Sequence, residues 1–253
     1  MTRPAKARVR QSFERAAPTY DSAADVQRRI CDHLLAALPV LRPEKLLDAG
    51  CGTGYALPHL CQLFPTAQAI GLDLSHGMLQ RVAAPCCRLA GDLEHLPLAT
   101  ASLDLYWSSL AVQWCELAAA LREALRVLRP QAHLALASLG PETFHELRAA
   151  FAGVDDHHHT LSFHSASEVQ QLAEDAGFAA VDVRRGREIV YYPDFTTLLR
   201  AVKAVGANQL GDGRRTSLMS RQSFAAAAAA YESRRTANGL PLTYDVIYLH
   251  ARK

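Results

Sequence analysis

The chain has 253 residues, of which 49% are hydrophobic and 21% charged, and its formal net charge is +2. This composition is ordinary for a globular enzyme, and the near-neutral charge gives no overall attraction to nucleic acid or to an anionic membrane. No apolar run approaches the roughly 18 residues that a membrane span needs. The basic N-terminal stretch lacks the apolar core of a signal peptide, and two early acids, Glu14 and Asp21, weaken the alternative of a transit peptide.

The cysteines lie at positions 31, 51, 61, 86, 87 and 115 and include no Cys-x-x-Cys pair. In a chain of this size such cysteines are typical of buried thiols in a reducing compartment, not of disulfides or a metal site. The sequence therefore predicts a cytoplasmic protein.

Residues 4–38 have the apolar spacing of two helices. Pro18 breaks the pattern between them, and Tyr20 places an aromatic side chain in the short connection. Packing is the simplest interpretation of Tyr20, but its position just before the glycine-rich segment makes it a candidate for the functional site. We expect residues 1–40 to form a helical lid.

Strands and helices alternate between residues 45 and 137. Strands are predicted over residues 46–48, 67–73, 87–90, 103–108 and 133–137, and helices over 55–64, 75–83 and 115–128. Ser75 is expected to cap the second of these helices and Pro130 to end the third. The alternation is typical of parallel strands joined by right-handed crossover helices.

The regular alternation of predicted strands and helices ends after residue 140. Helices are predicted over residues 141–151, 167–176, 195–205 and 220–232, a loop over 154–163, and strands over 178–184, 188–192 and 242–250. Glu142 is expected in the first turn of its helix, and Gly177 is expected to close the helix before it. The prediction is a single α/β domain over residues 1–253 with a late helical insertion.

A glycine-rich segment follows the first predicted strand, where Asp48 precedes Gly50, Gly52 and Gly54. A strand that turns sharply into a helix in this way binds nucleotide-like cofactors at the edge of an open parallel sheet. The third glycine comes one residue too early for the dinucleotide pattern G-x-G-x-x-G, and no Gly-Lys-Ser/Thr follows for a P-loop. A carboxylate before the first glycine would repel a pyrophosphate, but it suits a cationic group such as an ammonium.

Two further acids end the next two predicted strands. Asp73 lies where a carboxylate can accept hydrogen bonds from both ribose hydroxyls, and Asp92 lies where it could face an adenine amino group. A helix N-cap is the simpler explanation for any one of these acids. Three acids at the ends of successive strands, the first beside a glycine loop, favour S-adenosylmethionine as the cofactor.

These three motifs resemble those of the class I S-adenosylmethionine-dependent methyltransferases. Longer segments resemble the BioC family, the malonyl-acyl-carrier-protein O-methyltransferases of biotin synthesis; they are FERAAPTYD at 13–21, GDLEHLPLA at 91–99, WSSLAVQW at 107–114, LREALRVLRP at 121–130 and LPLTY at 240–244. The similarity extends from about residue 8 to residue 250. It implies a Rossmann-like fold with a mainly parallel sheet, a cofactor-binding core at residues 45–137, and an acceptor pocket formed by residues 141–240.

The resemblance implies that the methyl group is transferred to the free carboxylate of a malonyl thioester on acyl-carrier protein. A carboxylate is ionised at neutral pH, so it needs orientation and no general base. The candidates for this role are Tyr20, Tyr192 and Lys203, although Tyr192 could simply pack and Lys203 could be solvated. The predicted cofactor-binding residues are Tyr20, Gln27, Asp48, Gly50, Gly52, Asp73, Leu74, Met78, Asp92, Leu93 and Ser109.

The late segment departs from the family pattern at one point. The family's His-x-Asn-Arg-Phe is replaced by HTLSF at 159–163, so a role of that Asn-Arg pair cannot be carried over, whereas KAVGAN at 203–208 does resemble the family's helix end. His157, His158 and His159 are adjacent on a predicted loop. Adjacent histidines rarely converge on one ion without further ligands, so no metal is expected.

Three arginine groups, at 184–187, 214–215 and 234–235, are most simply solvated surface, although one of them could dock an acidic carrier protein by charge complementarity. No nucleic acid or membrane partner is expected. Two alternatives remain open for the function. One is a methyltransferase acting on another small acid or ring compound, and the other is a methyltransferase-like factor that binds the cofactor without transferring its methyl group.

Overall fold

The structure is a computed structural model that describes residues 4–154, 160–204 and 220–253. Its strands are β1 (Lys45–Ala49), β2 (Gln68–Asp73), β3 (Cys87–Ala90), β4 (Leu103–Ser109), β5 (Leu128–Leu139), β6 (Ala179–Tyr192) and β7 (Leu240–Arg252). They form one sheet in the order β3-β2-β1-β4-β5-β7-β6. The first five strands are parallel, and β7 lies antiparallel between β5 and β6. The predicted α/β fold with a mainly parallel sheet is confirmed.

The described helices are α1 (Lys6–Ala16), α2 (Asp25–Ala36), α3 (Ala56–Leu63), α4 (His76–Leu79), α5 (Leu117–Val127), α6 (His145–Phe151), α7 (Ala166–Ala176), α8 (Phe195–Ala204) and α9 (Arg221–Glu232). The strand order runs outward from β1 to β3 and then reverses to β4 beside β1. Open α/β sheets bind ligands where the strand order reverses, outside the carboxyl ends of the strands. The fold therefore places a binding crevice at the end of β1.

The core lies on both faces of the sheet because successive side chains of a strand point to opposite faces. Leu46 and Leu47 of β1 are both 0% exposed, yet they belong to separate apolar clusters on the two faces. The cluster that contains Leu46 also holds Ile30 and Leu34 of α2, which fixes α2 on that face. No helix among the described residues is long and apolar enough to cross a bilayer.

Two predicted element ends in the first half of the chain are wrong. Pro130 does not end α5, which stops at Val127; Pro130 lies near the start of β5. The pairing of β4 with β5 changes register there, from Leu103–Leu128 to Leu105–His133. Proline has no backbone N–H to donate to the hydrogen-bond ladder between two strands, so it is tolerated where the pairing is irregular, as it is here. The helix after Ser75 is also shorter than expected, since α4 ends at Leu79.

Two corrections concern the second half. Helix α6 begins at His145, not at residue 141, because the backbone N–H of Phe144 bonds the carbonyl of Thr243 in β7 at 2.8 Å, which leaves Glu142 outside the first turn. The two strands predicted at 178–184 and 188–192 are one strand, β6. Gly186 interrupts its pattern because a Cβ there would lie 2.8 Å from the ring of Tyr248.

Candidate functional site

The loop after β1 is built from glycines in left-handed conformations. Gly50 and Gly52 have φ of 77° and 56°, a region that L side chains rarely adopt. A Cβ on Gly50 would lie 2.2 Å from the Cβ of Ala111, whereas a Cβ on Gly52 would meet nothing within 4 Å. The amides of Gly50 and Cys51 both bond the carbonyl of Leu72 in β2, at 2.7 and 2.9 Å. The loop is thus packed closely on one side and open on the other.

Asp48 ends β1 beneath this loop and is 2% exposed. Burial, and then the nearby carboxylate of Asp73, raises the pKa of Asp48 to about 8. Its Oδ2 is buried without a hydrogen-bond partner among the described residues. A buried acceptor without a donor is costly, so Asp48 suits a ligand that brings a positively charged donor.

Asp73 ends β2 and holds the glycine loop in place. Its carboxylate accepts hydrogen bonds from the amides of Gly52 at 2.9 Å and Ser75 at 2.7 Å. Ser75 then caps α4 by accepting from the Met78 amide at 3.2 Å, as predicted. Burial raises the pKa of Asp73, and the bonds from Ser75 and Gly52 lower it in part. Each oxygen keeps a second lone pair, which a ribose hydroxyl could use.

Asp92 follows β3 and has a partner that the sequence does not indicate. Lys6 of α1 forms ion pairs with Asp92 and with Glu94, the latter at 2.9 Å. The Asp92 carboxylate also accepts from the Glu94 amide at 3.0 Å. A lysine therefore lies beside the acid that was expected to face an adenine amino group.

Helix α1 is attached across the crevice by contacts along its length. Glu14 accepts hydrogen bonds from the amides of His76 and Gly77 at the start of α4, both at 2.8 Å. Phe13 packs edge-on against Trp114, with ring centroids 5.6 Å apart, and lies 6.4 Å from the ring of Tyr20. The N-terminal segment thus covers the carboxyl ends of the strands.

A cavity lies between α1, α2 and the strand ends. All of the predicted cofactor-binding residues line it; they are Tyr20, Gln27, Asp48, Gly50, Gly52, Asp73, Leu74, Met78, Asp92, Leu93 and Ser109. Sequence reasoning missed Lys6 and Phe13 in this wall. Lys6 lies more than one turn from any motif, and Phe13 begins the segment at 13–21, but both are on a helix whose docking position only the fold reveals.

A second cavity adjoins the first, and the two share a wall of Phe13, Tyr20, Gln27, Leu110 and Trp114. Apart from this wall, the second cavity is lined by Gln113, Leu139, Phe144, Thr160, Leu161, Phe163 and Tyr244. Part of its lining comes from the segment after β5, which was predicted to form the acceptor pocket.

Leu110 in the shared wall has a strained backbone, with φ of 54°. Its amide bonds the carbonyl of Ala137 at 2.9 Å, and its own carbonyl accepts from the Gln113 side chain at 2.7 Å. A non-glycine residue held in this region costs free energy and persists only where its surroundings fix it. The wall is therefore held in place, and no signal in the sequence identifies Leu110.

Two predicted acceptor residues lie outside both linings. Tyr192, at the end of β6, is half-buried and packs against the cluster of Phe195 and Tyr231, and burial raises its pKa. Lys203 is exposed near the end of α8. The structure brings Tyr20 to the shared wall but places neither of the other two candidates there.

The remaining predicted features lie on the surface or outside the described residues. Arg184 pairs with Asp182 at 2.9 Å and Arg185 with Asp245 at 3.1 Å, so these two arginines of the late group already have acidic partners. His157–159, the arginines at 214–215 and residues 205–208 of the KAVGAN segment lie outside the described residues. Among the residues that the structure does describe, no cluster of metal-ligand side chains occurs.

The first cavity offers hydrogen-bond acceptors that suit S-adenosylmethionine. The buried, unpartnered oxygens of Asp48 and Gln27 suit an ammonium, which has three N–H donors. The open side of Gly52 leaves room for a ligand against the backbone, and Asp73 can accept from a ribose.

Three comparisons place the chain among known proteins. A methyltransferase-domain family matches residues 47–136. A malonyl-acyl-carrier-protein O-methyltransferase from Dechloromonas aromatica is 71% identical over 252 residues, covering 100% of this chain and 96% of that protein. The biotin biosynthesis bifunctional protein BioHC from Teredinibacter turnerae is 36% identical over 267 residues, covering 98% of this chain and 47% of that longer protein.

The fold agrees with these relatives. An S-adenosylmethionine-dependent methyltransferase from Mesorhizobium loti superposes with a TM-score of 0.52 at 17% identity, covering 88% of this chain and 96% of that one. At that identity the likeness supports the fold alone. The full-length identity of 71% goes further: the chain belongs to the malonyl-acyl-carrier-protein O-methyltransferase family and is an S-adenosylmethionine-dependent O-methyltransferase.

Proposed function

We propose that this protein transfers the methyl group of S-adenosylmethionine to the free carboxylate of a malonyl thioester on acyl-carrier protein, as a step of biotin synthesis. The observation that carries the proposal is the 71% identity to a relative of that name over the whole chain. Two adjoining cavities with common lining residues support it, since the methyl donor and the acceptor must come into direct contact.

The residues of the first cavity would hold the cofactor, which supplies a methyl group already activated on a positively charged sulfur. Asp48 and Gln27 would bind its ammonium group, and Asp73 would bind its ribose while fixing the loop through Gly52. Asp92, held by Lys6, would lie at the adenine end. These assignments rest on the lining of the cavity and on the hydrogen-bonding capacity of each side chain.

The acceptor carboxylate would lie in the second cavity against the shared wall. It is already a nucleophile at neutral pH, so the protein contributes proximity and orientation. Burial, followed by the charges of Asp73 and Asp21, raises the pKa of Tyr20. Tyr20 is therefore a hydrogen-bond donor to the carboxylate and not a base.

Methylation removes the charge of the malonyl group. Apolar sites reject an ionised carboxylate because its desolvation is costly. The neutral ester could then enter a chain-elongating enzyme as an ordinary acyl primer would. Methylation thus removes the desolvation cost that would keep the malonyl group out of apolar sites.

Incubation with labelled S-adenosylmethionine and one acceptor at a time tests the proposal. The acceptors are malonyl-carrier protein, free malonate and an unrelated small acid. We expect a labelled methyl ester on malonyl-carrier protein alone. Labelling of another acid in its place would favour the first alternative, and cofactor binding without any labelled ester would favour a factor that does not transfer the methyl group.

A further inference from the structure

A polar pair beside the shared wall joins Gln27, which is assigned above to the cofactor, to Tyr244, which has no role in those assignments. Gln27 of α2 lines both cavities, and Tyr244 of β7 lines the second. The side chain of Gln27 hydrogen-bonds the Tyr244 hydroxyl, and this bond partly offsets the effect of burial, which raises the pKa of Tyr244. The Tyr244 hydroxyl therefore stays protonated and can donate a hydrogen bond.

The two ends of the Gln27 amide face different surroundings. Its Oε1 is buried and has no hydrogen-bond partner among the described residues. Cys31 lies one turn further along α2, on the same face, and the charge of Asp48 contributes to raising the pKa of Cys31 after burial. Gln27, Cys31 and Asp48 all line the first cavity. Gln27 and Asp48 therefore each bring an unpartnered oxygen to the lining of the first cavity.

The backbone on both sides of Tyr244 is firmly held. The Thr243 carbonyl accepts from the Phe144 amide at 2.8 Å, and the buried carboxylate of Glu146 binds the Thr243 hydroxyl. Asp245 accepts from the Glu142 amide at 3.1 Å. The Tyr244 ring packs edge-on against Phe144, with centroids 4.8 Å apart. A donor fixed in this way can aim a substrate without having to be ordered first.

We infer that Tyr244 donates a hydrogen bond to the acceptor carboxylate, and that Gln27 is the positioning residue that connects it to the cofactor. The carbonyl oxygen of Gln27 accepts from the ammonium of the bound cofactor. This leaves the amide nitrogen of Gln27 to donate to the Tyr244 oxygen, so that the Tyr244 O–H turns toward the acceptor. The inference rests on the proposed function, because it assumes a carboxylate acceptor in the second cavity.

Two isosteric variants separate the roles of the pair. Tyr244→Phe removes the donor, and we expect it to bind S-adenosylmethionine within about twofold of wild type while kcat/KM for malonyl-carrier protein falls about 10- to 100-fold. Gln27→Glu keeps an oxygen for the ammonium but loses the N–H that faces Tyr244. We expect it to bind the cofactor at least as well as wild type and to lose transfer to a similar degree.

The double variant Gln27→Glu/Tyr244→Phe tests whether the two residues act as a unit. We expect its kcat/KM to lie within about twofold of the lower single variant, since both substitutions break one chain of hydrogen bonds. Simple repulsion of the acceptor by the introduced carboxylate would be independent of Tyr244, and the two losses would then multiply. Multiplied losses, or a folded Tyr244→Phe variant with wild-type kcat/KM, would overturn the inference.

Two further measurements keep the inference separate from the proposed function. Tyr106→Phe is the matched control, because Tyr106 is a buried tyrosine of β4 that lines neither cavity; its transfer rate should equal that of wild type. Gln27→Leu should weaken cofactor binding about tenfold or more in calorimetry without any acceptor. If wild type methylates no acceptor, the proposed function fails. The binding measurement needs no acceptor, so unchanged cofactor affinity in Gln27→Leu would overturn the assignment of Gln27 whether or not the proposed function holds.

Discussion

At the scale of the residue, single buried oxygens characterise the proposed cofactor site. Asp48 ends the first strand with one carboxylate oxygen that has no partner among the described residues, and the nearby charge of Asp73 makes its ionisation still harder. A group of this kind favours the protonated form until a cation arrives. Cofactor binding should therefore be coupled to loss of a proton from Asp48.

We predict that the affinity for S-adenosylmethionine rises with pH up to about 8, the pKa of Asp48 in the cofactor-free protein. Below that pH the ammonium must displace a proton from the carboxylate, which weakens binding by up to about tenfold per pH unit. Calorimetric titrations between pH 6 and pH 8 measure the slope. In Asp48→Asn, which has no proton to release, the affinity should be low and nearly constant over this range.

The raised pKa of Asp48 also makes the stability of the cofactor-free protein depend on pH. Because the pKa of Asp48 is higher in the folded chain than in the unfolded chain, its contribution to stability is fully present below about pH 4 and is lost as the pH rises toward about 8. We predict that the free energy of unfolding of wild type, relative to that of Asp48→Asn, falls across this interval in the absence of cofactor. Chemical denaturation at several pH values measures it, and a constant difference would contradict the assignment.

At the scale of the element, the turn from β1 into α3 depends on backbone conformation more than on side chains. Gly50 is packed against Ala111, but Gly52 faces open space and lines the first cavity. Gly153, in the turn after α6, likewise has positive φ, 84°, and open space around it, yet it lines neither cavity. Gly52 and Gly153 therefore allow strain in the backbone to be separated from contact with the ligand.

We predict that Gly52→Ala and Gly153→Ala each lower the free energy of unfolding by about 1 kcal/mol, the cost of holding an L residue in the left-handed region. Only Gly52→Ala should also weaken S-adenosylmethionine binding, because its new methyl group points into the cofactor cavity. Thermal unfolding and calorimetry measure the two effects. Equal loss of cofactor affinity in both variants would show that the loop acts through stability alone.

At the scale of the whole molecule, the sequence predicted the parallel core well because each of its elements has a local signal. The apolar run of β1, the glycines after it and the acids at the ends of β2 and β3 are all close to the residues they position. Every predicted cofactor residue accordingly lines the first cavity. A local pattern is enough where a cavity is lined by the same connections that carry the pattern.

The acceptor side was harder to predict because its walls come from distant parts of the chain. Tyr244 and Phe144 meet only because β7 inserts between β5 and β6, a pairing that no local pattern specifies. Tyr192 and Lys203 were chosen for their chemistry and sequence position, and the fold places them outside both linings. Lys6 was missed for the same reason, since its partners lie 86 and 88 positions away at Asp92 and Glu94.

The elements that line the two cavities differ in how they are attached to the molecule. β7 is paired along most of its length with β5 on one side and β6 on the other. Helix α1 is joined to the rest of the cavity by side-chain contacts, those of Lys6, Phe13 and Glu14. Elements held mainly by side chains open at lower free energy than paired central strands. Cofactor binding should therefore reduce local opening more in α1 than in β7.

We predict that saturating S-adenosylhomocysteine slows amide hydrogen exchange in α1 and the following turn by about tenfold or more, while β7 stays fully protected with or without it. Mass spectrometry at labelling times of seconds to minutes measures this, since paired central strands exchange far more slowly. Glu14→Ala should speed amide exchange of α1 in the free protein, because it removes the acceptor of the His76 and Gly77 amides. Arg15→Ala is the control: Arg15 lies on the exposed side of the same helix, and its replacement should leave the exchange of α1 unchanged. Equal exchange of α1 with and without ligand would mean that the N-terminal helix is a fixed wall and not a lid over the cofactor.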